Sequence, residues 1–270
     1  MTAINGQTQI LGLLGQSIQH SKSYLLHNHC IESLGLNAVY LPLQSQHSMI
    51  PTLFRLEHFV GANVTMPYKL MALEKVDRLT ETARNIGAVN TIYKQDNQIV
   101  GDNTDAIGFY SAMSQYSIKW TERPTYLIGA GGAAKAVCNA LELFGVKQVF
   151  CWNRTPSKYS NLSNTIEILP WDLSSIEPNG IIIQCTPLGQ NGEDPIPHVN
   201  LSSSNIAIDL LYQRTPLLQR LEKINGMAID GLRMLVHQAA YSFAHWFQCA
   251  PPIQMMESIP EIQIQLEKSA

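Results

Sequence analysis

The stretch Thr125-Tyr126-Leu127-Ile128-Gly129-Ala130-Gly131-Gly132-Ala133-Ala134 decides the architecture of this chain of 270 residues. Its first four residues are β-prone and mostly apolar and read as a strand. The run after the glycines reads as a helix to about Phe144. The glycines between them permit a tight turn and let a pyrophosphate approach the helix N-terminus, where free N–H groups and the helix dipole attract anions. A second strand, Lys147 to Trp152, follows in the order that a βαβ unit requires. In that context the loop reads as a GxGGxA variant of the dinucleotide fingerprint.

The end of the second strand predicts which dinucleotide. A site for NAD usually carries an acidic residue there for the ribose hydroxyl. This chain has Asn153-Arg154-Thr155, with Lys158 close behind. A guanidinium beside a hydroxyl suits the extra 2′-phosphate of NADP. Two further strands fit the same sheet: Gly180 to Cys185, ending at Thr186-Pro187-Leu188-Gly189, and Ile206 to Tyr212. Between them Gln190 to Ser204 is a polar loop.

The first hundred residues repeat the alternation of strand and helix. Ile10 to Gly15 reads as a buried strand, Leu25 to Leu34 as a helix, Ala38 to Leu43 as a strand and Ser48 to Phe59 as a helix. Between the first two, Ser21 and Ser23 share a face of an extended segment, a cradle for a carboxylate; Ser23 is equally a natural helix N-cap. Gly61 to Thr65 is a strand that delivers Asn63 and Thr65. Pro67 predicts the first turn of a helix running over Leu70 to Leu79, with Lys69 in that turn. A cation there opposes the helix dipole, a setting that suits a lysine exchanging a proton. Ile86 to Tyr93 and Gln98 to Gly101 read as a hairpin around Gln95-Asp96-Asn97. Asn90 lies mid-strand, where an amide needs a partner or a cavity. Asp105 precedes an apolar helix and reads by itself as its cap. Near the end, Asp230 to Gln248 is a helix with Met234, Gln238 and Tyr241 on one stripe, and Ser258 to Lys268 is a last helix. Strands alternating with helices make this an α/β protein with ligand groups gathered at strand ends.

Composition sets the outer bounds. Apolar residues make up 45% and charged residues 14%, and the net charge of -3 leaves no basic footprint for nucleic acid. No apolar run approaches the roughly 18 residues that span a membrane. No secretion signal is expected at the N-terminus. Five scattered cysteines without a CxxC pair point to reduced thiols and a cytoplasmic protein. His27-Asn28-His29-Cys30 does not make a metal site, because neighbours one or two apart on a helix face different ways.

Several short motifs occur in order: Ser21-x-Ser23, Asn63-Val64-Thr65-x-Pro67-x-Lys69, Gly87-Ala88-Val89-Asn90-Thr91, Asn103-Thr104-Asp105 and Gly129-Ala130-Gly131-Gly132-Ala133. Asn153-Arg154-Thr155 and Met234-Leu235-x-x-Gln238-Ala239 complete the set. Over nearly its whole length the chain resembles the shikimate dehydrogenases, which reduce 3-dehydroshikimate to shikimate with NADPH. The resemblance implies two α/β domains: a discontinuous substrate domain, residues 1–105 and 235–270, and a Rossmann-like NADP domain, 106–234. It implies Lys69 and Asp105 as the catalytic pair, with Ser21 and Ser23 on the carboxylate. Asn63, Thr65, Asn90, Tyr212 and Gln238 would hold the ring hydroxyls. Gly129, Ala130, Gly131, Gly132, Ala133, Asn153, Arg154, Thr155, Lys158 and Thr186 would line the cofactor, with Leu210 and Gly231 near the nicotinamide. It implies a small-molecule substrate, no metal, and a monomer or homodimer.

Four departures from the family pattern stand out. Tyr24 follows the second serine where proline is usual, and Gln184 replaces a common asparagine. The loop after Tyr212 is about two residues short, and Arg233 replaces a common glycine. Quinate or an amino-shikimate as substrate, or a catalytically silent NADP-binding protein, are the competing readings.

Overall fold

The computed structural model describes residues 4–16, 18–44, 49–155 and 162–267. The chain divides into two compact units, residues 1–108 with 236–262 and residues 109–235 with 263–270.

The first unit is built on a sheet of six strands: β1 (Gln9–Gly15), β2 (Ala38–Gln44), β3 (Phe59–Val64), β4 (Arg78–Leu79), β5 (Thr91–Gln95) and β6 (Gln98–Asp102). Their order is β2-β1-β3-β5-β6-β4. The first three strands run parallel, whereas β5 is antiparallel to both β3 and β6. Pro42 is tolerated because β2 is an edge strand and its ring withholds a donor from no second neighbour. The β5–β6 turn is the two-residue Asp96-Asn97, both left-handed at φ 50 and 59, a conformation these two side chains accept more readily than most. Leu14, Phe59, Ala62, Val64 and Ile92 pack from this sheet against Ile50, Phe54 and Ala83. Helix α1 (Ser23–Ser33) follows β1, and α7 (Leu232–Phe247) brings its later turns to this unit.

The second unit has six parallel strands: β7 (Thr125–Ile128), β8 (Gln148–Trp152), β9 (Glu167–Pro170), β10 (Ile181–Gln184), β11 (Ile206–Asp209) and β12 (Met227–Ile229). They are ordered β12-β11-β10-β7-β8-β9. That is the 3-2-1-4-5-6 order of doubly wound dinucleotide-binding sheets, with the reversal between β7 and β10. Strands β7 and β10 are buried at all four positions and are apolar but for Thr125 and Gln184 at their outer ends, as a sheet covered on both faces requires. Helix α5 (Gly132–Leu143) follows β7, and α6 (Pro216–Glu222) lies between β11 and β12.

Several local expectations are corrected, each where tertiary pairing outcompetes a helical or extended pattern. No α-helix follows Pro67. Residues 66–70 turn, Met71–Glu74 form a single 3₁₀ turn, and Arg78–Leu79 join the sheet as β4. The Lys69 carbonyl, which a helix would need, accepts the Val89 N–H instead at 2.9 Å. With no helix there, the dipole argument for Lys69 falls. The expected helix over 48–59 is reduced to α2 (Ile50–Leu53), because His58 and Phe59 are drawn into pairing beside Ile10. The expected strand over 86–93 begins only at Thr91. Before it, Thr80 caps α3 (Glu81–Ile86) by accepting the Ala83 N–H at 3.1 Å, and Gly87 ends the helix left-handed at φ 67. Ser23 is the first residue of α1 and not its cap; Lys22 occupies that position without a side-chain bond. The strand expected to reach Tyr212 stops at Asp209.

Candidate active site

The first unit gathers a polar network at the ends of β3, β5 and β6. Lys69, delivered by the turn after β3, places Nζ 2.6 Å from Asp105 Oδ2, with side chains 23% and 11% exposed. Asp105 opens α4 (Asp105–Met113) as its first residue, and its backbone N–H donates to Asn103 Oδ1 at 3.0 Å. Asn90 Nδ2 donates to Asp105 Oδ1 at 2.8 Å and to Thr104 Oγ1 at 3.0 Å, while Asn90 Oδ1 accepts the Thr104 N–H at 2.8 Å. Gln238, from α7, brings Oε1 within 3.5 Å of the same amide. One carboxylate oxygen is thus held by a fixed amide and the other by a cation, which settles how Asp105 faces Lys69. Each carboxylate oxygen retains acceptor capacity beyond these bonds.

Asn63 lies one layer deeper. Its Nδ2 donates to Ser242 Oγ at 2.9 Å and lies 3.3 Å from the Asn90 carbonyl, so its Oδ1 is the atom that accepts from the Tyr40 hydroxyl at 2.9 Å. The same oxygen faces His27 Nε2 at 3.1 Å, which makes Nε2 the protonated nitrogen. Burial pushes the His27 pKa down to about 3, with the Asn63 bond opposing it only in part. His27 is therefore a neutral donor stacked 4.3 Å from the Tyr40 ring. Thr91, Thr104 and Ser242 complete the cluster through hydroxyl contacts of 2.7 to 3.3 Å. Asn63 is buried and its amide is engaged on both sides, so it braces the network from behind. Asn90 is likewise 2% exposed.

Ser21 Oγ donates to Ser23 Oγ at 3.0 Å, although the segment is not extended as expected, since Lys22 between them is right-handed helical at φ -86; Ser23 is also a partner of the Tyr40 hydroxyl. The Thr65 N–H closes the β1–β3 pairing on Leu14 at 2.9 Å and leaves its side chain half-buried. Tyr212 belongs to the second unit, where its carbonyl accepts from Gln265 at 2.8 Å.

In the second unit the loop 129–131 leaves β7 at the reversal of strand order. Gly129 is left-handed at φ 105, and a Cβ there would lie 2.7 Å from the Thr186 methyl. Gly131 precedes α5 with open space around it. Gly132 and Ala133 form the first turn of α5. Asn153 Oδ1 accepts the Ala130 N–H at 3.1 Å and its Nδ2 donates to the Thr155 carbonyl at 2.9 Å, tying the loop to the end of β8. Arg154 and Thr155 are exposed at that end, and Lys158 lies outside the described residues. A free helix N-terminus, an open approach over Gly131 and an exposed guanidinium at β8 together fit a phosphorylated dinucleotide. Gly231 packs so close to Leu210 that a Cβ would meet its carbonyl oxygen at 2.1 Å.

Among sequence models of protein families, the shikimate dehydrogenase substrate binding domain matches residues 13–92, and the shikimate 5'-dehydrogenase C-terminal domain matches residues 231–258. The shikimate dehydrogenase (NADP(+)) of Maridesulfovibrio salexigens is 34% identical over 249 residues, which are 88% of this chain and 91% of that relative. The chain belongs to the shikimate dehydrogenase family. Crystallised shikimate dehydrogenase from Aquifex aeolicus superposes with a TM-score of 0.83 at 31% identity, covering 94% of this chain and 98% of that one. The shikimate 5-dehydrogenase of Thermus thermophilus, in complex with NADP(H) and shikimate, superposes with a TM-score of 0.80 at 28% identity, covering 97% and 100%.

The four positions singled out in the sequence take definite places in the structure. Tyr24 sits on the first turn of α1, largely exposed. Gln184, buried at the end of β10, accepts from both the N–H and the hydroxyl of Thr186 at 3.0 Å and donates to the Leu188 carbonyl at 2.9 Å. The longer amide thereby sets the turn beside Gly129. The short loop after Tyr212 is fastened by Gln213 Nε2 to the Gly189 carbonyl at 2.9 Å. Arg233 bonds Gln115 and lies over the Tyr116 ring, 5.8 Å from its centroid.

Sequence reasoning missed the supporting residues. Thr91 and Thr104 lay inside recognised motifs but carried no role, and Tyr40 and Ser242 gave no signal, since an isolated hydroxyl in an apolar run is indistinguishable from a satisfied core residue. Asp209 was missed too. It is wholly buried at the end of β11 and accepts from the Leu211 N–H at 3.0 Å and the Thr215 hydroxyl at 2.8 Å. Burial, with Asp230 adding repulsion, raises its pKa to about 6.

Proposed function

We propose that this chain interconverts 3-dehydroshikimate and shikimate with NADP(H) in the cytoplasm, with the unit of residues 1–108 and 236–262 as substrate domain and the unit of residues 109–235 and 263–270 as cofactor domain. The observation that carries the reading is the Lys69–Asp105 pair, 2.6 Å apart and fixed by Asn90, in a member of this family. Bound NADPH supplies the hydride that reaches the carbonyl carbon. Lys69 then stabilises the negative charge growing on the carbonyl oxygen and gives it a proton. Asp105 orients the ammonium group and accepts from a substrate hydroxyl. In the oxidative direction the same pair takes the hydroxyl proton.

The remaining roles are those that membership of this family implies. Ser21 and Ser23 donate to the substrate carboxylate. Thr65, Gln238, Tyr212 and the Asn90 amide address ring hydroxyls, and Asn63 holds Asn90 in place from behind. The 129–133 loop receives the pyrophosphate at the start of α5. Asn153, Arg154, Thr155 and Lys158 take the 2′-phosphoryl ribose, while Thr186, Leu210 and Gly231 border the nicotinamide. An exposed guanidinium at the end of β8 favours NADP over NAD. The chain works as a monomer or homodimer.

The test is nicotinamide absorbance with purified protein, offered shikimate or quinate, each with NADP+ or NAD+. Fast reduction with shikimate and NADP+ alone is expected. Faster turnover with quinate or with NAD+ would overturn the substrate or cofactor assignment, and no turnover with any pair would overturn the enzyme reading.

A further inference from the structure

We infer that His245 and Asp102 form a positioning pair for Asp105, aiming its carboxylate through two routes that start at the Asp102 residue. The inference rests on the catalytic reading of Asp105 above. His245, on α7, places Nε2 2.9 Å from Asp102 Oδ2. The other oxygen of Asp102 accepts from the Thr80 hydroxyl and from the Asn103 N–H at 2.7 Å. Asn103 in turn accepts the Asp105 N–H at 3.0 Å and donates to the Ala88 carbonyl at 3.0 Å. That is the first route, and it sets the opening turn of α4. The second runs through the backbone: the Asp102 carbonyl accepts the Asn90 N–H at 3.0 Å, and the Asn90 amide donates to Asp105 Oδ1 at 2.8 Å.

Asp102 therefore joins β6, the cap of α3 and the late turns of α7 three residues before the proposed catalytic carboxylate. Burial alone would raise its pKa, but the bonds from His245, Thr80 and the Asn103 N–H outweigh that and hold it below the ordinary aspartate value. The groups facing the pair are few. From β5 the Tyr93 ring stacks on His245 at 4.8 Å and 7°, and Arg78 acts on Tyr93 from β4. Taking the imidazole away leaves Asp102 Oδ2 without this partner, loosens Asp102, and widens the range of positions Asp105 samples. The expected effect falls on turnover, because neither residue is among those proposed to contact the substrate.

The experiment compares wild type, His245→Phe, Asp102→Asn and the double variant for kcat and KM with shikimate and NADP+. Phenylalanine keeps the stack on Tyr93 and removes the hydrogen-bonding nitrogen. We expect His245→Phe to lower kcat about tenfold, with KM for shikimate within about twofold. It should cost nothing further in the Asp102→Asn background. An effect confined to KM, or additive losses, would overturn the pair, since independent packing roles predict additivity. His245→Gln, which keeps a donor for Asp102, should recover part of the lost turnover; it also stands in if the phenylalanine variant fails to fold. Asp105→Asn is measured alongside. If it is inactive while His245→Phe matches wild type throughout, only the pairing is lost. If it retains near wild-type turnover, or the wild type has none, the reading of the site falls and the pair with it.

Discussion

Lys69 and Asp105 are paired within the protein itself, because Asn90 holds the Asp105 carboxylate and Asn103 holds its backbone N–H. A lysine acting as proton donor contributes about 100- to 10,000-fold to rate. Lys69→Ala should therefore lower kcat by that much while KM for shikimate changes little, as read from initial rates; near wild-type turnover would remove the lysine from the reaction. Asp209 offers a test through stability. Its folded pKa, about 6, lies above the ordinary aspartate value of 3.8, so the protonated form is favoured by folding. The stabilising contribution is complete below about pH 4 and is lost as pH rises through about 6, a difference on the order of 3 kcal/mol. Asp209→Asn cannot ionise, so its Tm minus that of wild type should increase between pH 4.5 and 7.5; a constant difference would contradict the shift.

At the scale of elements, close approach matters more than propensity. The β12–α7 junction brings Gly231 against the Leu210 carbonyl, where a methyl group would need the backbone itself to move. Gly231→Ala should cost about 1–3 kcal/mol in denaturant unfolding, typical of overpacking against fixed atoms. The strand–loop–helix over 125–143, the β5–β6 hairpin and the late helix of 232–247 were all legible in the sequence, because each has a strong period or turn residues at its ends. The segment 66–79 was not. Its pattern is helical, yet the Lys69 carbonyl and the Asp77 and Thr80 N–H groups pair with residues 89, 99 and 101. Local periodicity carries no information about such partners. Strands β9 and β12 are four and three residues long and too short to show a period.

For the whole molecule, the two units predict separable ligand effects. Arg154→Ala, exposed at the end of β8, should raise KM for NADP+ about tenfold or more and leave NAD+ kinetics unchanged, since a guanidinium–phosphate contact is among the strong charge-assisted bonds. Equal losses with both cofactors would place the arginine elsewhere than at the 2′-phosphate. NADP+ at 100 times its Kd should add about 2.7 kcal/mol to the stability of the native state, measurable as a rise in Tm.

The sequence by itself determined the α/β class, the dinucleotide loop and the family, and it singled out the lysine and aspartate proposed as the catalytic pair. Those features rest on local chemistry: turn residues, periodicity and short motifs keep their meaning wherever the chain goes. The tertiary structure alone decided that Lys69 stands on a turn, that Asn63 braces the site from behind, and that His245 reaches Asp102 from 143 positions away along the chain. Those are pairings between distant groups, set by which buried donor finds which acceptor once the sheet has formed.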